Sequence, residues 1–333
     1  MSTKRFPHFV GLLIASVALG MWAASDAAPQ PYPNRLIKLV VPFDAGGPND
    51  IIARAVADKL SVSLKQSFVI ENRPGVGGNI GTGVIAKAAP DGYTLGLALN
   101  TTLTVNPSLY KKLPFDPDKD FHPISIVTTM GNMLVVHPSV PVNSVAEFVT
   151  FAKAAAARKE PIAYASAGGL GSPGHLVMEY FRLRTGFEAI HVPYRSNPAM
   201  VVDLVAGQVK VGFVTSSGMM DHVQAGRLRG LGVARATRSP LAPEVPTIAE
   251  SGYPGFRVEN YSVMLAPAGI PDSVAALLER EVQAALKHPD VTERFRLMDT
   301  TPAGTIGPEV RARIKADREE WAKVVAAANM QLD

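Results

Sequence analysis

Apolar residues in this chain fall into short blocks that alternate between two periods. Residues 37–42 form a short apolar run, 51–64 carry apolar positions at helical spacing, and 68–71 are again short and apolar. Such runs followed by a 3.6-residue period predict strands feeding helices, and repetition of the unit predicts parallel strands with crossover helices. The series continues with a helix-like stretch over 79–89, the turn Pro90-Asp91-Gly92 and a strand-like stretch over 93–99. Beyond Phe115-Asp116-Pro117-Asp118 an extended segment over 124–136 leads to a helix over 145–157. A second series pairs strand 162–166 with helix 173–184 and strand 189–192 with helix 198–206, then adds strands at 209–215 and 227–234. Residues 238–246 and 252–256, rich in Pro or Gly, read as exposed connections. A strand-like piece over 261–266 and helices over 273–287 and 308–327 close the chain. Two such series predict an α/β fold of two lobes: 32–130 plus 260–333 as the first and 131–259 as the second, with crossings near 129–132 and 258–261.

Composition narrows the class. Apolar residues make up 47% of the chain, which separates it from disordered sequences. At the start, Lys4 and Arg5 precede an apolar run over 9–24 and the small-residue stretch Ala23-Ala24-Ser25-Asp26-Ala27-Ala28. This is the layout of a signal peptide over residues 1–28, with a mature periplasmic chain expected from near Ala28. The apolar run is shorter than the roughly 20 residues a membrane span needs. The chain has no cysteine, so neither a disulfide nor a lipidated cysteine can tie it down. The formal net charge of +4 comes without a long Lys/Arg run; it fits acidic solutes and argues against a nucleic-acid partner.

Candidate chemistry gathers where strands meet helices. In Val41-Pro42-Phe43-Asp44-Ala45-Gly46-Gly47-Pro48-Asn49-Asp50, Gly47 can be the N-cap and Pro48 the first helical residue. In Ser166-Ala167-Gly168-Gly169-Leu170-Gly171-Ser172-Pro173-Gly174-His175, Ser172 takes the cap, Pro173 the first position and His175 the third. Asn197-Pro198, after Tyr194-Arg195-Ser196, repeats the arrangement. Helix starts leave N–H groups free and carry roughly half a positive charge, so each is a ready anion site, and in parallel sheets they collect at the carboxyl edge. Each alone is also ordinary capping; their number and common position raise the binding reading. The loop Leu99-Asn100-Thr101-Thr102 and the run Thr215-Ser216-Ser217 add hydroxyls and an amide at matching strand ends. Asp50 reads as a structural charge, because a carboxylate would repel a bound carboxylate.

Enzyme readings come out poorly. Ser172 and His175 are candidates for a periplasmic hydrolase or isomerase, but Leu170 stands where the G-x-S-x-G elbow needs its first glycine. The seven histidines contain no H-x-x-x-H pair, so no metal is expected. The letters Gly81-Thr82-Gly83-Val84-Ile85-Ala86 match a dinucleotide fingerprint but fall inside a helical stretch, so no cofactor is expected either.

The chain resembles the Bug, or TctC-like, extracytoplasmic solute receptors of tripartite tricarboxylate transporters. The resemblance is carried by Val41-Pro42-Phe43-Asp44-Ala45-Gly46-Gly47, Glu71-Asn72-Arg73-Pro74-Gly75-Val76-Gly77-Gly78-Asn79, Ala88-Ala89-Pro90-Asp91-Gly92-Tyr93-Thr94, His191-Val192-Pro193-Tyr194, Gly207-Gln208-Val209 and Val245-Pro246-Thr247-Ile248-Ala249-Glu250-Ser251-Gly252. It implies a type II periplasmic-binding-protein fold, two Rossmann-like lobes with a hinge and a central ligand cleft. It implies capture of a small carboxylate and its delivery to inner-membrane permease subunits by a monomeric receptor. It also implies that the amides of loops 45–47 and 166–172 hold the carboxylate. The ligand set expected on these grounds is Phe43, Ala45, Gly46 and Gly47; Asn100 and Thr101; Ser166, Ala167, Gly168, Ser172 and His175; Tyr194, Arg195 and Ser196; and Thr215 and Ser216. After Arg195 the family commonly carries glycine; Ser196 here adds a side chain that narrows or re-polarises the pocket. A receptor presenting the same solute to a membrane sensor kinase remains the alternative.

Overall fold

Strand β1 (Ile37–Val41) is buried almost throughout and runs into helix α1 (Pro48–Leu64), whose start is marked by extended Gly47 and by proline in its first turn. The computed structural model describes residues 31–216 and 219–332; the signal-peptide segment 1–28 lies outside them. Residues up to Asn34 form one unit and Arg35 onward another, and the described strands and helices all belong to the second. After α1 come β2 (Phe68–Asn72), α2 (Asn79–Ala86), β3 (Thr94–Leu99) and the short helices α3 (Asn100–Thr104) and α4 (Asn106–Leu109). The long β4 (Phe121–Val136) and α5 (Val145–Ala157) precede the second series: β5 (Ile162–Ala167), α6 (Pro173–Thr185), β6 (Ala189–Tyr194), α7 (Asn197–Val205), β7 (Val211–Thr215), α8 (Met220–Gln224) and β8 (Arg229–Val233). The chain ends with β9 (Glu259–Pro267), α9 (Asp272–Leu286), α10 (Pro289–Leu297), β10 (Thr300–Ile306) and α11 (Pro308–Ala327). The fingerprint-like glycines Gly81 and Gly83 lie within α2, where a Cβ on Gly81 would meet Pro42 Cα at 2.7 Å and one on Gly83 would meet Pro114 Cγ at 3.0 Å; they let the helix pack against the end of β1 and the loop before β4.

The strands join in the order β2-β1-β3-β9-β4-β7-β5-β6. β1 is parallel to β2 and β3, and β5 is parallel to β6 and β7, while β9 and β4 run antiparallel to their neighbours. β4 changes partners along its length. Residues up to Gly131 pair with β9 or β10; Asn132 pairs with Thr215 of β7, and the following residues with β7 and β8. One core cluster holds Val40, Phe121, Tyr261, Val263, Val310 and Ile314. Another is built on aromatic rings: Phe181 contacts Phe213, Phe187 and Phe256 edge-to-face at centroid distances of 5.6–5.7 Å, a geometry that aligns ring edges with ring faces. Helix α11 enters both clusters, with Val310 and Ile314 in the first and Val324 and Val325 in the second. Between these positions Trp321 lies 6.0 Å from the Tyr180 ring.

A buried knot sits where β4 switches. Asp299, in the left-handed region (φ 49°), accepts hydrogen bonds from the Ser216 and Ser239 hydroxyls and pairs with Arg235 at 3.3 Å. Arg235 also donates to Thr301 Oγ1 at 2.6 Å, and its Cδ stands 2.8 Å from where a Cβ on Gly131 would be. The pair therefore fastens the start of β10, which lies along the first part of β4, to the segment after β8, which lies along the second.

Candidate functional site

The carboxyl ends of β1, β3, β5 and β7 open onto two adjoining cavities. The inner, of ≈ 270 Å³, is lined by Phe43, Pro48, Asn49 and Leu99 on one side and by Ala167, Pro173, Gly174, Met200, Phe213, Val214 and Thr215 on the other; Asn197, Met130, Asn132 and Asn260 complete it. The outer, of ≈ 370 Å³, shares Phe43, Pro48, Asn49, Ala167 and Asn197 and adds Asp44, Gly47, Gly168, Arg195 and Ser196. This is the crevice at the carboxyl edge where open α/β sheets receive ligands. A smaller cavity of ≈ 80 Å³ beside Pro117 and Arg311 is lined by the amino end of β4 at Phe121 and by no carboxyl strand end.

The starts of α1, α6 and α7 converge on these cavities. Proline occupies the first turn of each helix, where its missing N–H deprives no intrahelical bond. The remaining first-turn N–H groups have no intrahelical acceptor and face an anion favourably. The loop before α1 is held from behind: Asp50 accepts from Gly46 N at 2.9 Å, Arg54 Nε at 2.9 Å and Asn72 Nδ2 at 3.1 Å. The Arg54 hydrogen bond is the chief reason the Asp50 carboxyl is held below its usual range, so this buried charge shapes the loop. Gly46 and Gly168, at φ 78° and 96°, take turns that a Cβ would strain. At the start of α6 a Cβ on Gly174 would stand 2.3 Å from the Phe213 carbonyl oxygen, so only glycine lets this helix seat against β7.

Of the residues expected from sequence, Phe43, Gly47, Ala167, Gly168, Arg195, Ser196 and Thr215 line the cavities. Ala45 and Gly46 sit in the same loop, exposed and away from the lining. Asn100 and Thr101 belong to α3; the segment expected as a loop is helical, and Asn100 Oδ1 accepts from Tyr261 N at 3.1 Å, which pins β9. Ser216 is committed to Asp299, and Ser217 lies outside the described residues. The Tyr194 hydroxyl donates to Asp203 at 2.7 Å; burial and that carboxylate push its pKa up to about 12. The N-cap of α7 is Ser196, not Asn197: Ser196 is the extended residue (φ −147°), which moves Asn197 into the first turn.

Ser166, Ser172 and His175 lie behind the lining. Ser172 makes no side-chain cap; its Oγ lies 3.2 Å from Ser166 Oγ, which in turn lies 2.7 Å from His191 Nε2. His175 Nδ1 accepts from Gly171 N at 3.1 Å, and its ring stacks on His191 at 4.1 Å. Burial, followed by the neighbouring imidazole, lowers the His175 pKa to about 4. The serine–histidine pair is thus Ser166–His191, and Ser166 is 0% exposed, out of reach of a molecule in the cavity. Sequence reasoning missed the carboxamides Asn49, Asn132 and Asn260. Asn49, next to the helix-start proline, carried a local signal; the other two come together only through strand pairing.

A family model described as TctC, tripartite tricarboxylate transporter family receptor, matches residues 52–330. The chain belongs to this receptor family. The receptor is 34% identical to Protein BugT of Bordetella pertussis, with 100% of each chain covered. Among solved structures, it superposes on R. palustris Rpa4515 with adipate at TM-score 0.77 and 34% identity, covering 90% of this chain and 100% of that one. It superposes on MatC of Rhodopseudomonas palustris with bound malate at TM-score 0.72 and 30% identity, covering 88% and 100%. The receptor therefore has the periplasmic-binding-protein fold expected from its sequence, in a family of periplasmic solute-binding proteins.

Proposed function

We propose that this receptor captures a small carboxylate in the periplasm and delivers it to the inner-membrane permease subunits of a tripartite tricarboxylate-type transporter. The observation that carries this reading is the convergence of three helix starts on one pair of cavities. A carboxylate among Asn49, Gly174 and Asn197, in the first turns of α1, α6 and α7, meets first-turn N–H groups, with Arg195 in the adjoining outer cavity. The change of partners within β4 supports lobes of 32–130 plus 260–333 and 131–259, which close on the solute around Gly131 and the return at Glu259. Closure then rests on the contacts the second lobe adds to a solute held by the first. The segment over 1–28 is proposed to be a cleaved signal peptide and the mature receptor a monomer. The burial of Ser166 away from the cavities supports binding without turnover.

A thermal-shift screen of the mature chain against small carboxylic acids, their amides and uncharged analogues tests the reading. A ligand specific to the folded state at a hundred times its dissociation constant adds about 2.7 kcal/mol. The expected result is a rise in Tm with one class of acid and none with its amide. Shifts with uncharged solutes alone would reduce the helix starts to capping.

A further inference from the structure

Two consecutive polar side chains in the first turn of α1 have different surroundings. Asp50 is drawn back by Gly46 N, Arg54 and Asn72 and lines neither cavity. Asn49 lines both cavities, although it is only 8% exposed. One end of its carboxamide is taken: Oδ1 accepts from the Ser262 hydroxyl at 2.6 Å. That length suits an O–H donor and is short for an amide N–H, so it fixes which end of the group faces β9. Ser262 is 0% exposed and pairs with Leu99 of β3 and Thr128 of β4, so its hydroxyl is held from both sides of the strand.

The other end, Nδ2, has no acceptor among the described residues. The unpaired amide nitrogens of Asn79 and Asn132 are sealed from solvent; that of Asn49 is not. Buried polar groups are nearly always paired, and the space open to this donor is the cavity, beside the first-turn N–H groups of its own helix. Donors gathered in this way call for one acceptor with several lone pairs. A carboxylate, with two oxygens and about four lone-pair sites, is such a group.

We propose that Asn49 Nδ2 donates to the solute carboxylate, and that Ser262 is a positioning residue that keeps this end of the amide toward the solute. The inference rests on the carboxylate-receptor reading and adds a specificity-determining side chain to the backbone grip. With Oδ1 engaged, a solute that offers an ammonium or another donor at this point meets only donors.

The test is isothermal titration calorimetry with straight-chain mono- and dicarboxylic acids, hydroxy acids and benzoate, followed by variants titrated with the acid that binds tightest. Asn49→Leu is expected to weaken that acid about tenfold or more, the worth of a hydrogen bond to a charged group. The isosteric Asn49→Asp keeps an acceptor for Ser262 but sets an anion against the carboxylate, and is expected to weaken binding further. Either variant that circular dichroism shows to be folded gives the answer. Ser262→Ala frees the amide to turn and is expected to cost about threefold in affinity, with no further loss when it is added to Asn49→Leu. A serine that merely supports the fold would keep its effect in the leucine background. Wild-type affinity in a folded Asn49 variant overturns the donor, and a Ser262→Ala loss that is absent, or that persists beside Asn49→Leu, overturns the positioning; both leave the carboxylate reading intact. Failure of every acid to bind the unaltered receptor overturns that reading and this assignment together.

Discussion

Asp299→Asn is expected to cost about 3–5 kcal/mol of stability, because it leaves the Arg235 guanidinium buried without its counter-charge. Arg235 and Asp299 are 4% and 0% exposed, so water cannot stand in for the lost carboxylate. Asparagine keeps the shape and tolerates the left-handed backbone at this position, so the loss reports charge and hydrogen bonding rather than strain. The new Nδ2 donor also faces hydroxyls and a guanidinium that already donate. Adding Arg235→Met to the same chain removes the orphaned cation and is expected to recover a large part of the loss, since an apolar replacement for a buried pair is often neutral. Urea unfolding of the single and double variants reads both quantities. A single-variant loss under about 1 kcal/mol, or a double variant weaker than the single, would show that the pair is not desolvated as described.

Acidification is expected to weaken the fold between pH 6.5 and 4, with up to about 3 kcal/mol lost through His175 alone. The sign comes from the direction of the shift. His175 is neutral in the folded chain down to its pKa of about 4, while the unfolded chain takes up a proton near 6.5. Its contribution is therefore complete above 6.5, falls as the pH drops, and is exhausted below about 4. His191 is lowered by burial in the same sense, and so is His122, by burial and Arg311. The carboxylates held low in the fold, Asp50 and Glu71 among them, respond only as their unfolded forms titrate, at lower pH. Comparison of unfolding free energies at pH 7.5 and 5.5, above the range in which the unfolded carboxylates titrate, thus isolates the histidines. His175→Gln, which keeps an acceptor for Gly171 N, is expected to shrink the difference; an unchanged difference would rule out His175 as its main source. Solute affinity should hold through this window and fall only as the pH nears about 4, where Nδ1 of the folded chain takes up a proton and can no longer accept from the loop that carries Gly168.

The elements that follow local rules were legible in the residues. The β1–α1 and β5–α6 junctions combine a short apolar run, glycine and a first-turn proline, and all three signals act within ten residues. Ambiguity entered where two polar residues adjoin: Ser196 and Asn197 are both competent caps, and the choice depends on where β6 ends at Tyr194 beside Ala167. The Asn- and Thr-rich α3 looked like a loop because these side chains favour turns. Burial and the bonds from Thr102 Oγ1 to Leu99 O and from Thr104 Oγ1 to Asn100 O offset that tendency. β10 was hidden by Pro302 and Gly304, which demote a strand; both fall at the irregularity in its pairing with β4. The inner cavity was the least legible part. Asn132 and Asn260 are ordinary strand residues until β4 and β9 pair, and no periodicity announces a cavity between elements distant in the chain.

Helix α11 gives the receptor a built-in optical reporter. The chain has two tryptophans, Trp22 and Trp321, and the first lies in the segment proposed to be removed on export. Trp321 then emits alone. It shares a crevice with Tyr180, Arg257, Val258 and Glu259, beside the return crossing, on a helix seated in both cores. A movement of one half of the sheet against the other changes the polarity around that indole without any dye or engineered label. Titrating solute while following its emission maximum would read closure directly, and comparison with the heat of binding would separate the motion from the capture.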